Sequence, residues 1–152
     1  MISLHHEMIY TLDVEGPLEG SDDAAGARHQ WWQMTRATLV GSRIHASTPM
    51  PGIDWFAPDR DGFGRPHVRL PLRTDDGAVI LLEYRGVVQA TAAFTTAVAA
   101  DRPTEWGDQY MRMALLFETT AGRYRWLTQS LFVARGRLAG AKQIEYDVYR
   151  VE

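Results

Sequence analysis

The sequence predicts an all-β fold, a single domain built as an antiparallel barrel or sandwich. Three observations carry that prediction. Where apolar residues recur with a period, the period is two. Glycine, proline and aspartate punctuate the chain at short intervals, and no segment holds a helical pattern beyond about three turns. A chain of 152 residues that is 45% hydrophobic can bury one core and has little room for a second. Closure into a barrel is favoured because it leaves no strand edge open to pairing. The expected ring has about eight strands, within a range of roughly seven to nine.

The first strand runs from Leu4 to Val14, with Leu4, His6, Met8, Tyr10, Leu12 and Val14 on one face. Gly16-Pro17 is expected to end it, and the G-S-D-D-A-A-G run up to Gly26 reads as loop. A pair follows over Gln30–Val40 and Ser42–Ala46, split at Gly41. Thr48–Pro66 holds four prolines and three glycines and is expected to be mostly irregular, packed through Trp55 and Phe56. His67–Arg73 and Ala78–Arg85 are extended, and the Thr-Asp-Asp-Gly quartet between them is a hairpin signal. Val87–Ala100 is ambiguous, because its alanines allow a short helix while its Val, Thr and Phe favour an extended or mixed course. Asp101–Asp108 is loop. Strands are expected over Gln109–Thr119 and Arg123–Arg135, joined at Ala121-Gly122. Gly136–Ala141 reads as the last turn and Gln143–Glu152 as the last strand.

Several classes of chemistry are excluded early. The chain has no cysteine, so disulfides, thiolate metal sites and Cys nucleophiles are ruled out. A net charge of −3 argues against a nucleic-acid surface. His5 and His6 point to opposite strand faces, and His29, His45 and His67 lack carboxylates at ligand spacing, so no metal is expected. No Gly-x-Ser-x-Gly, Gly-x-Gly-x-x-Gly or P-loop is present, which leaves serine hydrolysis and nucleotide cofactors without support. The opening M-I-S-L-H-H-E-M-I-Y has neither the basic nor the apolar region of a signal peptide. No apolar run approaches a membrane span, so a cytoplasmic protein without a membrane partner is expected.

Some residues could carry chemistry. In Tyr110–Glu118, Tyr110, Arg112 and Glu118 share one face, and Met111, Met113, Leu115 and Phe117 form an apolar opposite face. Spacing alone favours a buried apolar face with Arg112 and Glu118 in solvent; the other reading turns them into the barrel. Tyr124, Trp126, Thr128 and Ser130 share a face of the next segment, and Tyr84, Leu82 and Ile80 share one in the earlier hairpin. Aromatic rings beside a few polar groups suit either a small-molecule pocket or ordinary core. Asp54 lies beside Trp55, where desolvation would raise its pKa, as proton transfer requires, although a turn-capping role explains it as well.

Together, Gly52-Ile53-Asp54-Trp55, Arg69-Leu70-Pro71-Leu72-Arg73-Thr74-Asp75-Asp76-Gly77, Tyr84-Arg85-Gly86, Tyr110-Met111-Arg112-Met113, Phe117-Glu118-Thr119, Tyr124-Arg125-Trp126-Leu127-Thr128 and Asp147-Val148-Tyr149-Arg150-Val151 form an ordered set. It resembles the domain of unknown function 3237 family, from Leu4 onward. The resemblance implies a closed antiparallel barrel with a central cavity, a homodimer, and a small-molecule metabolic setting. It also moves Arg112 and Glu118 to the inward reading. The chain departs from the family pattern at His29–Met34, where Trp32 stands in a usually glycine-rich segment, and at Thr128, usually asparagine.

The resulting expectation is a cofactor-independent isomerase, cyclase or lyase acting on a small cyclic or aromatic molecule. Asp54 or Glu118 would move a proton, and Arg112 or Arg69 would hold an anionic group. Trp32, Trp55, Tyr84, Tyr110, Tyr124, Trp126 and Thr128 would enclose the substrate. The alternative is a non-catalytic binding protein for a hydrophobic or aromatic metabolite.

Overall fold

A computed structural model describes residues 1–19 and 28–152. The expected loop of residues 20–26 thus lies outside the described residues. Among the described residues there are ten strands: β1 (Leu4–Glu19), β2 (Gln30–Gly41), β3 (Ile44–Ser47), β4 (Gly52–Pro58), β5 (Phe63–Arg65), β6 (His67–Thr74), β7 (Val79–Gln89), β8 (Tyr110–Glu118), β9 (Phe132–Gly140) and β10 (Gln143–Val151). All pairings are antiparallel, and β1 pairs with both β10 and β2, which closes the sheet into a barrel-like ring. The helices are short: α1 (Ala92–Ala99) and α2 (Arg125–Thr128), the latter preceded by a 3-10 turn over Gly122–Tyr124.

Alternation places the core. Met8, Tyr10, Leu12 and Val14 of β1 face inward, as do Leu70 and Leu72 of β6, Ile80, Leu82 and Tyr84 of β7, and Tyr146 and Val148 of β10. A register shift between His6 and Met8 breaks the first face, so His6 stands outside while Met8 is buried. The β6–β7 hairpin turns where expected. Gly77 takes φ +89°, a conformation that side chains with a Cβ rarely adopt, and its amide bonds the Thr74 carbonyl at 2.9 Å.

Four boundaries differ from expectation. Thr48–Pro66 contains β4 and β5, because its prolines fall at strand ends or between strands. β1 continues past Gly16-Pro17, where an irregularity between Glu15 and Leu18 absorbs the break. Val87–Ala100 divides into the end of β7 and the helix α1, whose Thr91 hydroxyl caps the Phe94 amide at 3.2 Å. Residues 122–128 are helical, and β9 runs through Gly136 to Gly140. Here tertiary contacts override strand propensity: Leu127 is 1% exposed and plugs one end of the ring, beside Tyr124, whose hydroxyl donates to Asp76 at 2.8 Å.

The two ends therefore differ. The end holding the β6–β7 turn is filled by Leu127, Phe117 and Phe132. The opposite end, bordered by β4, β5 and α1, holds a cavity.

Candidate functional site

The cavity has a volume of about 390 Å³, and its wall is overwhelmingly apolar. Trp32, Met34, Phe56, Phe63 and Met111 line it, and α1 adds Phe94 and Val98. The glycine at position 64 is sterically required: a Cβ there would lie 2.0 Å from the Phe56 ring.

Asp54 is the carboxylate set in this wall. Within β4, Gly52 and Asp54 face inward while Ile53 and Trp55 face solvent, the ordinary consequence of period-two alternation. Asp54 is 9% exposed. Its Oδ1 accepts the His67 backbone N–H at 2.9 Å, which ties β4 to the start of β6. Burial pushes its pKa up to about 6, against the His67 hydrogen bond and the nearby His67 charge, which both pull it down.

Three phenols gather beside it. Tyr10 and Tyr146 are register partners on β1 and β10, with ring centres 5.8 Å apart, and Tyr84 of β7 lies 5.8 and 5.9 Å from them. Tyr84 and Tyr146 line the cavity. Burial raises all three phenols above their ordinary value, and the Asp54 charge raises them further, so they stay protonated donors. The Tyr10 hydroxyl is close enough to Tyr84 for each to affect the other's ionisation, but no partner meets hydrogen-bonding geometry at its Oη. Gly136, opposite Tyr146 on β9, makes room for this ring: a Cβ there would lie 2.5 Å from Tyr146 Cε1.

Of the residues singled out in the sequence, Asp54, Trp32 and Tyr84 meet at the cavity. The others do not. On β8 it is Met111, Met113, Leu115 and Phe117 that face inward, because an apolar face gains more from burial than one carrying two charges. Arg112 lies outside, its guanidinium over the Tyr110 ring at 5.0 Å, and Tyr110 and Glu118 are exposed with it. Arg69 is exposed on β6 and pairs with Glu83 at 2.7 Å. Trp55 packs edge-on against Trp31 on the outer surface; the indole opposite Asp54 in register is that of Trp32. Tyr124 and Trp126 belong to the plugged end, where the Arg43 guanidinium sits 3.7 Å over the Trp126 ring. The Thr128 hydroxyl donates to the Arg125 carbonyl. Tyr10 and Tyr146 were missed, although each is a lone phenol in an inward apolar face, and a buried tyrosine hydroxyl calls for a partner.

Among the described residues, no group of three or more His, Asp or Glu side chains is placed to hold a metal ion, and no helix is long and apolar enough to cross a membrane.

Comparison with known proteins agrees with this architecture. A UPF0311 protein from Clostridium acetobutylicum is 28% identical over 133 residues, covering 86% of this chain and 84% of its own. A β-barrel-like protein from Acinetobacter baumannii superposes with a TM-score of 0.84 at 25% identity, covering 100% and 97%. A conserved protein of unknown function from Rhodopseudomonas palustris gives 0.87 at 20% identity, covering 100% and 98%. An enzyme from Penicillium herquei gives 0.70 at 17% identity over 99% and 95% of the two chains. The family described as protein of unknown function (DUF3237) matches residues 3–151, and the chain belongs to that family.

Proposed function

We propose that the protein is a small-molecule enzyme of the isomerase, cyclase or lyase kind, working by acid–base chemistry at Asp54. The observation that carries this reading is a carboxyl group, nine-tenths buried, in the wall of an apolar cavity beside three phenols. As carboxylate, Asp54 would take a proton from the bound molecule; as acid, it would return that proton at another atom. The electron pair left behind would be drawn towards an oxygen facing Tyr84 or Tyr146, whose O–H groups stabilise the developing charge. A carboxyl titrating near 6 is matched to both roles near neutral pH. That one structural neighbour is described as an enzyme lends support. The arginines no longer enter the mechanism.

The test compares wild type, Asp54→Asn and Glu118→Gln in ²H₂O with a library of small cyclic and aromatic metabolites, reading conversion or deuterium uptake by mass spectrometry. Conversion of at least one compound is expected, slowed roughly 100-fold or more by Asp54→Asn and unaltered by Glu118→Gln. Retention of a compound without chemical change would instead favour the second reading, a binding protein, for which the apolar cavity alone suffices. Pairing into a homodimer rests on the resemblance; light scattering giving the single-chain mass would remove it.

A further inference from the structure

We propose that the cavity takes an uncharged, largely apolar carbonyl compound carrying no anionic group or carrier. This rests on the cavity being the working site and names the class of molecule that fits it.

The first ground is charge. Among the described residues lining the cavity, the ionisable side chains are Asp54, Asp59, Tyr84 and Tyr146; none is a lysine, arginine or histidine. Arg69 and Arg112, the cations best placed in sequence to greet an anion, are on the outer surface. Asp59 is exposed at the rim and paired with Arg65 at 3.5 Å, so a carboxylate, phosphate or sulfate passing inward would be desolvated beside the buried Asp54 with no cation in the wall around it, which is costly. The second ground is hydrogen bonding. The phenols of the cavity wall, Tyr84 and Tyr146, are donors held in the protonated state. A buried donor gains most from an acceptor, and a carbonyl oxygen is an acceptor without charge. An ammonium group would pair with Asp54 and could donate to a phenol oxygen, but it carries no acceptor for the phenol O–H groups. The third ground is shape. The volume is at the lower end of that found for drug-sized ligands, and flat rings, Trp32 and Phe56, form part of the wall.

Three probes with one apolar skeleton separate the possibilities: 2-acetonaphthone, 2-naphthoate and 2-(aminomethyl)naphthalene. Isothermal titration at pH 8 reads affinity, and side-chain NMR shifts at Trp32 and Tyr84 read location. The ketone is expected to bind at least tenfold more tightly than either charged probe. Tyr84→Phe or Tyr146→Phe should weaken the ketone, and Asp54→Asn should narrow its advantage over the carboxylate. Equal or tighter binding of the carboxylate or the amine would overturn the proposal, as would absence of ketone binding up to its solubility. Binding is read without turnover, so the two claims fail separately. Selective ketone binding with no conversion of any library compound removes the acid–base reading and leaves the ligand class standing. Conversion at Asp54 of an anionic compound does the reverse.

Discussion

Asp54 is costly to the fold at neutral pH. Its proton is held more tightly in the folded chain, near 6, than in the unfolded chain, near the ordinary 3.8. Between those values the folded state binds more protons, so stability falls as pH rises through that window and stays lower above it. Asp54→Asn keeps an acceptor for the His67 amide and removes the charge. The variant is therefore expected to be more stable than wild type at pH 8 by about 2–3 kcal/mol, with the difference shrinking to about 0.5 kcal/mol at pH 4. Urea denaturation at the two pH values checks this; an equal or lower stability of the variant at pH 8 would show that the carboxylate is better solvated than its burial implies. The sequence marked Asp54 but not its surroundings. Read as a loop, Asp54-Trp55 looked like one unit, whereas in a strand neighbours point apart, and the indole on the inner face is Trp32, a register partner that local sequence does not reveal.

At the scale of elements, legibility followed locality. The β6–β7 hairpin could be read because its turn and both alternating arms lie within residues 67–85. Residues 122–128 could not, since their helix is held by Asp76 and the core, distant in sequence. β8 offered two faces, and only the rule that an apolar face outbids a charged one decides between them; the family resemblance pulled that decision the wrong way. The two ends of the barrel should respond differently to substitution. Leu127→Ala, at the plugged end, is expected to cost about 2–5 kcal/mol and leave ketone affinity within twofold. Gly136→Ala drives a Cβ into Tyr146 and Met111 and is expected to weaken ketone binding markedly. Thermal denaturation and titration calorimetry on both variants separate the effects. Loss of ligand binding in Leu127→Ala alone would contradict the division of the barrel.

For the molecule as a whole, closure of the sheet does two things. It removes exposed strand edges, and it brings Tyr10 of β1, Asp54 of β4, Tyr84 of β7 and Tyr146 of β10 to one place although they are far apart in the chain. That convergence depends on strand register around the entire ring, which is why the sequence announced an aromatic-rich barrel more clearly than its site. The central claim is that this assembly keeps a protonatable carboxyl in an apolar cavity at working pH. Carbon-13 NMR titration of the Asp54 side chain, assigned by loss of its signal in Asp54→Asn, tests it most directly. A midpoint near 6 is expected; a midpoint at or below the ordinary 3.8 would contradict the claim and remove Asp54 as the proton-moving group.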